Sequence, residues 1–362
     1  MSSGPDAELV IAQAREICAV PAPTSAEAQR AELVAGMFQA AGMSPRRDSV
    51  GNVICETGGD GERIVFAAHL DTVFAAGTPI RFEAADGRLA APGLGDNSVG
   101  VAALLALARH FADRRPVTPL ALVATVGEEG LGDLRGAKAL LAEMPCRAFV
   151  AVEGQALNSI TVTAVGSIRL RVSVAGPGGH PWGDRGTPSA VHWLVQALDR
   201  VLESVRDSTA SLNVGVIGGG TVINAIAGEA HAELDLRCVD DRELQLAAER
   251  VRDALEPRGS ELKVTVEALG HRPGGGIADD HPLLLAARAA REAAGLAPAT
   301  ENASSADANA AHGRGIPALT VGVTTGGNAH RLDEYIDTEP VAGGLTALTA
   351  LADELTGRAA AR

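Results

Sequence analysis

Arg63-Ile64-Val65-Phe66-Ala67-Ala68-His69-Leu70-Asp71 is a short apolar run that stops abruptly on polar residues. Six residues are too few for a helix, and the run does not alternate, so Arg63–Ala68 reads as a strand buried on both faces. Working outward, Ala7–Ala19 and Ser25–Ala41 read as helices, with Gly42 as a C-terminal cap of the second. On the other side, Ser98–Phe111 is an apolar helix, Pro119–Val126 a buried strand, Leu134–Ala142 a helix and Arg147–Val152 another buried strand. Short apolar strands alternating with helices predict an α/β layer around a mainly parallel sheet.

Near Gly166 the pattern changes. Ser167–Val174 (S-I-R-L-R-V-S-V) alternates strictly, as a half-exposed strand does. Ser189–Val205 carries an apolar stripe of helical period, Leu212–Ile217 and Ala230–Cys238 read as strands, Arg242–Leu255 as a helix and Glu261–Leu269 as a last strand. The order β-α-β-β-α-β is the ferredoxin-like pattern. After Gly274-Gly275-Gly276 the first pattern resumes, with a helix at Pro282–Ala294, a strand at Ala318–Val323 and a closing helix at Val341–Leu355. The predicted organisation is one α/β domain, 1–165 and 273–362, interrupted by a smaller α+β domain, 166–272.

Composition narrows the function. With 46% hydrophobic and 21% charged residues the chain has the balance of a soluble globular protein. Aromatics make up only 2% and the net charge is -14, so neither a base-stacking surface nor a phosphate-tracking basic run is available, and nucleic acid is not an expected partner. The start shows no basic segment followed by an apolar stretch, and the longest apolar run, near Val99–Ala108, is too short to span a bilayer. Cys18, Cys55, Cys146 and Cys238 lack metal or redox spacing and fit reduced thiols, so a cytoplasmic protein without a membrane partner is expected.

Five segments are read as placing His or acidic residues immediately after predicted strands: His69-Leu70-Asp71, Gly95-Asp96-Asn97, Gly127-Glu128-Glu129, Val152-Glu153-Gly154 and Asn328-Ala329-His330. Loops beyond the carboxyl ends of strands in an open α/β sheet converge on one place. Each segment also has a plainer reading. His69 could be a satisfied histidine, Asp96 a helix N-cap, and Glu128-Glu129 a solvated first-turn pair. Taken together, Asp96, Glu129, Glu153, His69 and His330 offer three carboxylates and two imidazoles, too many for one tetrahedral zinc. They suit two divalent ions roughly 3.5–4 Å apart that share a carboxylate.

The order H-L-D, G-D-N ahead of an apolar helix, G-E-E-G, a strand-end Glu and a late His resembles the dizinc aminoacylase/carboxypeptidase family. That family includes glutamate carboxypeptidase, peptidase T, acetylornithine deacetylase and succinyl-diaminopimelate desuccinylase. G-P-G-G-H at 176–180 extends the resemblance into the inserted domain. The resemblance implies two ions, zinc first and cobalt or manganese as alternatives. His69 and Glu153 would hold one, Glu129 and His330 the other, with Asp96 bridging and the peptide after it cis. It implies Asp71 as the group that orients His69 and Glu128 as the general base acting on a bridging water. It makes the inserted domain a lid and dimerisation domain whose His180 polarises the scissile carbonyl. Asn224 and Arg237 would then bind the substrate's polar groups and carboxylate.

The function expected from this resemblance is hydrolysis of a peptide or amide bond in a small substrate, a dipeptide or N-acyl amino acid, by a homodimer. The strand Ser167–Val174 or the helix Ser189–Val205 is the expected seam. Glu153, where several aminopeptidases of the family have Asp, favours a carboxypeptidase or deacylase. Ser305-Ala306-Asp307-Ala308-Asn309 resembles the S-D-A-N stretch of peptidase T-like members, with Ala inserted, and points instead to a tripeptide or dipeptide aminopeptidase. A non-catalytic binding module is the reading from a different class. It would be favoured by loss of Glu128 or of a ligand, and none is lost.

Overall fold

The structure, a computed structural model, describes residues 6–259, 261–357 and 360–361. The chain divides into two compact units, 1–164 with 276–362, and 165–275.

The centre of the first unit is four mutually parallel strands in the order Leu120–Thr125, Arg63–His69, Cys146–Glu153 and Ala318–Gly322. Successive residues of these strands face opposite ways, so one apolar run feeds two cores. Ile64, Phe66 and Ala68 face a layer built from the helices Ala7–Cys18, Ala28–Ala40, Val99–Phe111, Pro282–Ala293 and Val341–Thr356. Val65 and Ala67 face a second layer with Leu140 and Leu141 of the helix Arg135–Glu143 and Ala310 and Ala311 of the short helix Ala308–His312. Fully buried Phe66 and Phe149 fall on opposite faces, each worth about 1.5–3 kcal/mol of transfer free energy. The parallel α/β layer is therefore the one the sequence predicts.

Strands that the apolar pattern does not announce flank this centre. Val53–Thr57 pairs antiparallel with Leu120–Thr125, and Ser159–Ala164 lies antiparallel beside Ala318–Gly322. Thr300–Ser304 (T-E-N-A-S), polar and largely exposed, is added at that margin, where no core enforces alternation. A separate small sheet runs Gly326–Gly327, Tyr335–Asp337, Arg88–Ala90 and Glu83–Ala85.

The second unit has the order Gly166–Ala175, helix Ala190–Ser204, Ser211–Gly219, Glu229–Cys238, helix Asp241–Ala254 and Lys263–Arg272, the β-α-β-β-α-β succession. Ile168, Leu170, Val172 and Val174 bury against the two helices, while Arg169 and Arg171 pair across the other face with Asp235 and Glu233 directly opposite. One expectation is corrected here. Gly166–Ala175 is hydrogen-bonded on both sides, to Glu229–Cys238 and Lys263–Arg272, so it cannot offer an edge. Its alternation reports one solvated face, not a free margin. The edges are Ser211–Gly219 and Lys263–Arg272. The first carries exposed Val216 and Ile217, next to a helix with exposed Val195 and Leu202. No helix among the described residues is long and apolar enough to cross a membrane, and the four cysteines are buried free thiols.

Candidate active site

His69 and Glu153 are the last residues of two neighbouring parallel strands, and Glu128-Glu129 follow a third by three and four residues. The sheet therefore presents three of the predicted segments side by side at its carboxyl edge. The loop holding His69 is fixed from behind by Arg30, fully buried, which donates from Nη1 to the Leu70 carbonyl (2.8 Å) and from Nε to the Val20 carbonyl (2.8 Å).

Asp71, wholly buried, organises the next loop. Its Oδ1 accepts from the Glu128 amide (2.9 Å), and its Oδ2 accepts from the Glu129 amide (3.0 Å) and the Thr24 hydroxyl (3.0 Å). The His69 ring is set by the backbone of Asp71: Nδ1 lies 3.0 Å from the Asp71 carbonyl oxygen and 3.7 Å from its carboxylate. Donation from Nδ1 to that carbonyl leaves Nε2 facing the cluster.

Asp96 stands at the middle. Its Oδ1 is 2.9 Å from His69 Nε2 and its Oδ2 3.0 Å from His330 Nε2. Glu153 Oε2 lies 3.7 Å from His69 Nε2, and Glu129 Oε1 3.2 Å from His330 Nε2. Despite that distance Glu129 Oε1 makes no well-aligned hydrogen bond among the described residues. Two triads result, His69–Asp96–Glu153 and Asp96–Glu129–His330, with ligand atoms within 4.8 Å of one another and Asp96 common to both. A third such grouping, His69–Glu128–Glu129, places Glu128 beside them.

The plainer readings of these residues fail locally. Asp96 and Asn97 leave helical dihedrals, the peptide between them is cis, and the helix Val99–Phe111 begins without a side-chain cap. Glu128 and Glu129 are buried, not solvated; one 3-10 turn, Gly130–Gly132, follows them and the α-helix starts only at Arg135. His330 and Asn328 have left-handed backbones (φ 65 and 60), uncommon for residues with a Cβ. Asn328 Nδ2 donates to Asp333 Oδ2 (2.9 Å), and Arg331 Nε to Asp333 Oδ1 (2.9 Å), knotting that loop.

The protein groups alone carry unbalanced charge. Burial pushes Glu129 up to about 8 and Glu153 up to about 7, with the Asp96 charge adding to both. Burial also opposes ionisation of Asp96, yet the bonds from His330 and His69 outweigh it and hold Asp96 well below the carboxylate range. The Asp96 bond raises His330 to about 9. For His69, burial disfavours the imidazolium, but Glu153 and Asp96 together keep its pKa well above the ordinary value. Groups that hold protons among themselves this way are the groups that exchange them for cations.

Two further buried carboxyls stand beside these ligands. Glu334 accepts from the Gly95 and Asp96 amides at Oε1 (2.7 and 2.8 Å) and from the Gly93 amide at Oε2 (3.0 Å). Its only sequence signal is its place four residues after His330. Asp307, noted above for its S-D-A-N-like context, accepts from the Thr125 hydroxyl (2.5 Å) while its other oxygen has no partner among the described residues. Burial, with the Glu128 charge, lifts Asp307 to about 7.

His180, Asn224 and Arg237 belong to the second unit. His180 is exposed, and its Nδ1 accepts from the Trp182 and Gly183 amides (3.2 and 3.1 Å), which puts the proton of the neutral ring on Nε2. The Gly179–Ile226 bridge brings the His180 loop beside the exposed Asn224 loop. Arg237 does not join them. It sits near the far end of Glu229–Cys238, seven residues from Ala230 and so about 23 Å along the strand, with Nε 2.9 Å from Asp235 Oδ2.

Parallel sheet, carboxyl-edge loops and a His/carboxylate cluster sharing one aspartate define a metallohydrolase. The chain belongs to peptidase family M20/M25/M40, whose model matches residues 65–354. It is 26% identical over 293 residues to a succinyl-diaminopimelate desuccinylase from Rhodospirillum centenum, covering 72% of this chain and 75% of that one. Its fold is similar to aminopeptidase PepT from Bacillus cereus, with a TM-score of 0.79 and 23% identity over 97% of this chain and 99% of that chain. It is likewise similar to a tripeptidase from Staphylococcus aureus, with a TM-score of 0.81 and 21% identity over 98% and 100%.

Proposed function

We propose that the chain is a dinuclear metal-dependent hydrolase of small peptides or N-acyl amino acids, of carboxypeptidase or deacylase type. The observation that carries this reading is the placement of the two Asp96 oxygens, each about one hydrogen bond from a different imidazole, with a separate glutamate beside each ring. The donor set fits two divalent ions of the zinc, cobalt or manganese kind: imidazole nitrogen and carboxylate oxygen, with a buried Glu129 oxygen that makes no well-aligned hydrogen bond among the described residues. His69 and Glu153 would hold one ion, Glu129 and His330 the other, and Asp96 both. Bound there, the ions would supply Lewis-acid polarisation and an acidified water.

The remaining work falls to side chains. Glu128, its backbone held by Asp71, would take a proton from the attacking water and pass it to the leaving nitrogen. Asp71 keeps Glu128 and Glu129 in fixed register, so that one moves protons while its neighbour ligates. His180, with Nε2–H directed outward, would donate to the carbonyl oxygen as negative charge builds on it.

Arg237 is read as the group that receives the substrate carboxylate. If it binds bidentately, Arg237→Lys should raise KM nearly as much as Arg237→Ala, because an ammonium cannot reproduce the fork. A substrate with an amidated carboxyl terminus should be cleaved poorly by the wild type. Equal turnover of free and amidated forms would contradict this and support the aminopeptidase reading, which the likeness of fold to PepT favours.

A homodimer is part of the proposal. One copy of the second unit separates Arg237 from His180 and Asn224 by most of a strand, too far for one small substrate to touch both. Two copies of the unit at each site would resolve this, joined along the exposed Ser211–Gly219 edge and the Val195 and Leu202 helix face. Mixing an inactive Glu128→Ala chain with an inactive His180→Ala chain, under subunit exchange, should then restore one working site per heterodimer. Exchange without recovered activity would place His180 in cis.

A further inference from the structure

Glu334 is a wholly buried carboxylate that caps a loop rather than a helix. Three backbone amides of the segment 93–96 donate to it, at 2.7, 2.8 and 3.0 Å, and among the described residues no arginine or lysine is bonded to it. Gln155 Nε2 lies 3.3 Å from Oε1 and completes the ring of donors. The same glutamate is anchored by its own backbone. The Ala91 amide donates to its carbonyl (2.9 Å), and its amide donates to the Arg331 carbonyl (3.1 Å). Tyr335–Asp337, directly after it, pairs with Arg88–Ala90, which ends two residues short of the 93–96 segment.

This arrangement joins two loops with separate duties. The loop Asn328–Glu334 presents His330, and the segment 93–96 presents Asp96. A small sheet sets them side by side, and the Glu334 carboxylate gathers the amides of the second loop onto the end of the first. The space is closed on the other side, since a Cβ on Gly154 would run into the Gly95 carbonyl. With both loops tied at this point, the backbones from which His330 and Asp96 reach each other are held in register.

We propose that Glu334 is a positioning residue that sets Asp96 in its bridging orientation and thereby couples the two halves of the cation site. The inference rests on the dinuclear reading above and adds a residue that touches neither substrate nor ion. Charge-assisted bonds to three amides are what a loop needs to carry a bridging ligand without wandering. Loss of such outer partners typically costs about 10–100-fold in metal affinity or activity.

The test is zinc titration of the full chain against a competing chelator, with folding checked by circular dichroism. Wild type should bind two equivalents. Glu334→Gln keeps the shape but sets an NH2 group against an amide N–H, and Glu334→Asp keeps the charge but shortens the reach. Both should bind zinc roughly 10–100-fold more weakly while kcat falls and KM stays within about twofold. Zinc affinity within twofold of wild type in a folded variant would overturn the proposal, as would failure of both variants to fold, since the role would then be structural. A wild type that binds no zinc would instead overturn the dinuclear reading itself, so the two failures are separable.

Discussion

Glu128→Ala should lower turnover by roughly 10²–10⁴-fold while both metal ions remain bound. The expectation follows from a division of labour between adjacent residues. The Asp71 carboxylate holds the amides of Glu128 and Glu129 at 2.9 and 3.0 Å, so the two side chains leave one fixed stretch of backbone. Glu129 approaches His330 and shares a triad with Asp96, whereas Glu128 groups with His69 and Glu129. Elemental analysis beside a turnover assay reads the result. Glu129→Ala should show the opposite order and lose metal first. Loss of a metal equivalent from Glu128→Ala would mean that the two roles are reversed.

The sequence makes the central α/β layer and the β-α-β-β-α-β insert legible because both depend on burial, which writes periodicity into the chain. Runs such as Arg63–Ala68 and Pro119–Val126 are buried on both faces, and Ser167–Val174 on one. Where burial stops, legibility stops. Thr300–Ser304 joins the sheet through backbone bonds while its side chains face solvent, so nothing in T-E-N-A-S announces a strand. Ser167–Val174 cannot serve as a strand-edge seam for a related reason: alternation tells which face is wet, not which strand lacks a neighbour.

Candidate site residues were readable where a strand ends abruptly on a His or an acid, as at His69 and Glu153. Glu334 was not, because its bonds run to backbone amides about 240 positions away, which leave no trace in residue type. The manner in which Asp71 acts was also hidden. Motif order points to the His69 ring, whereas the carboxylate is engaged by the Glu128 and Glu129 amides and the ring by the Asp71 carbonyl. Arg237 and His180 appear in sequence as members of one substrate set, and only the strand between them reveals their separation.

Asp96→Ala should abolish activity and release metal from both halves of the site, a loss larger than the roughly 10–100-fold expected for an outer partner. Asp96 bonds to both imidazoles: one of its oxygens lies 2.9 Å from His69 Nε2 and the other 3.0 Å from His330 Nε2. Asp96→Asn should fail almost as completely, since an amide has one acceptor oxygen and no charge to set against two dications. Retention of one full metal equivalent with normal affinity in Asp96→Ala would show two independent sites rather than a shared one.

The most direct measurement is a crystal structure of zinc-loaded protein with the metal positions fixed by anomalous scattering. The dinuclear account predicts two peaks on either side of the Asp96 carboxylate, one within ligand distance of His69 and Glu153, the other of Glu129 and His330. Glu128 should coordinate neither. A single peak, or a peak ligated by Glu128 in place of Asp96, would contradict it.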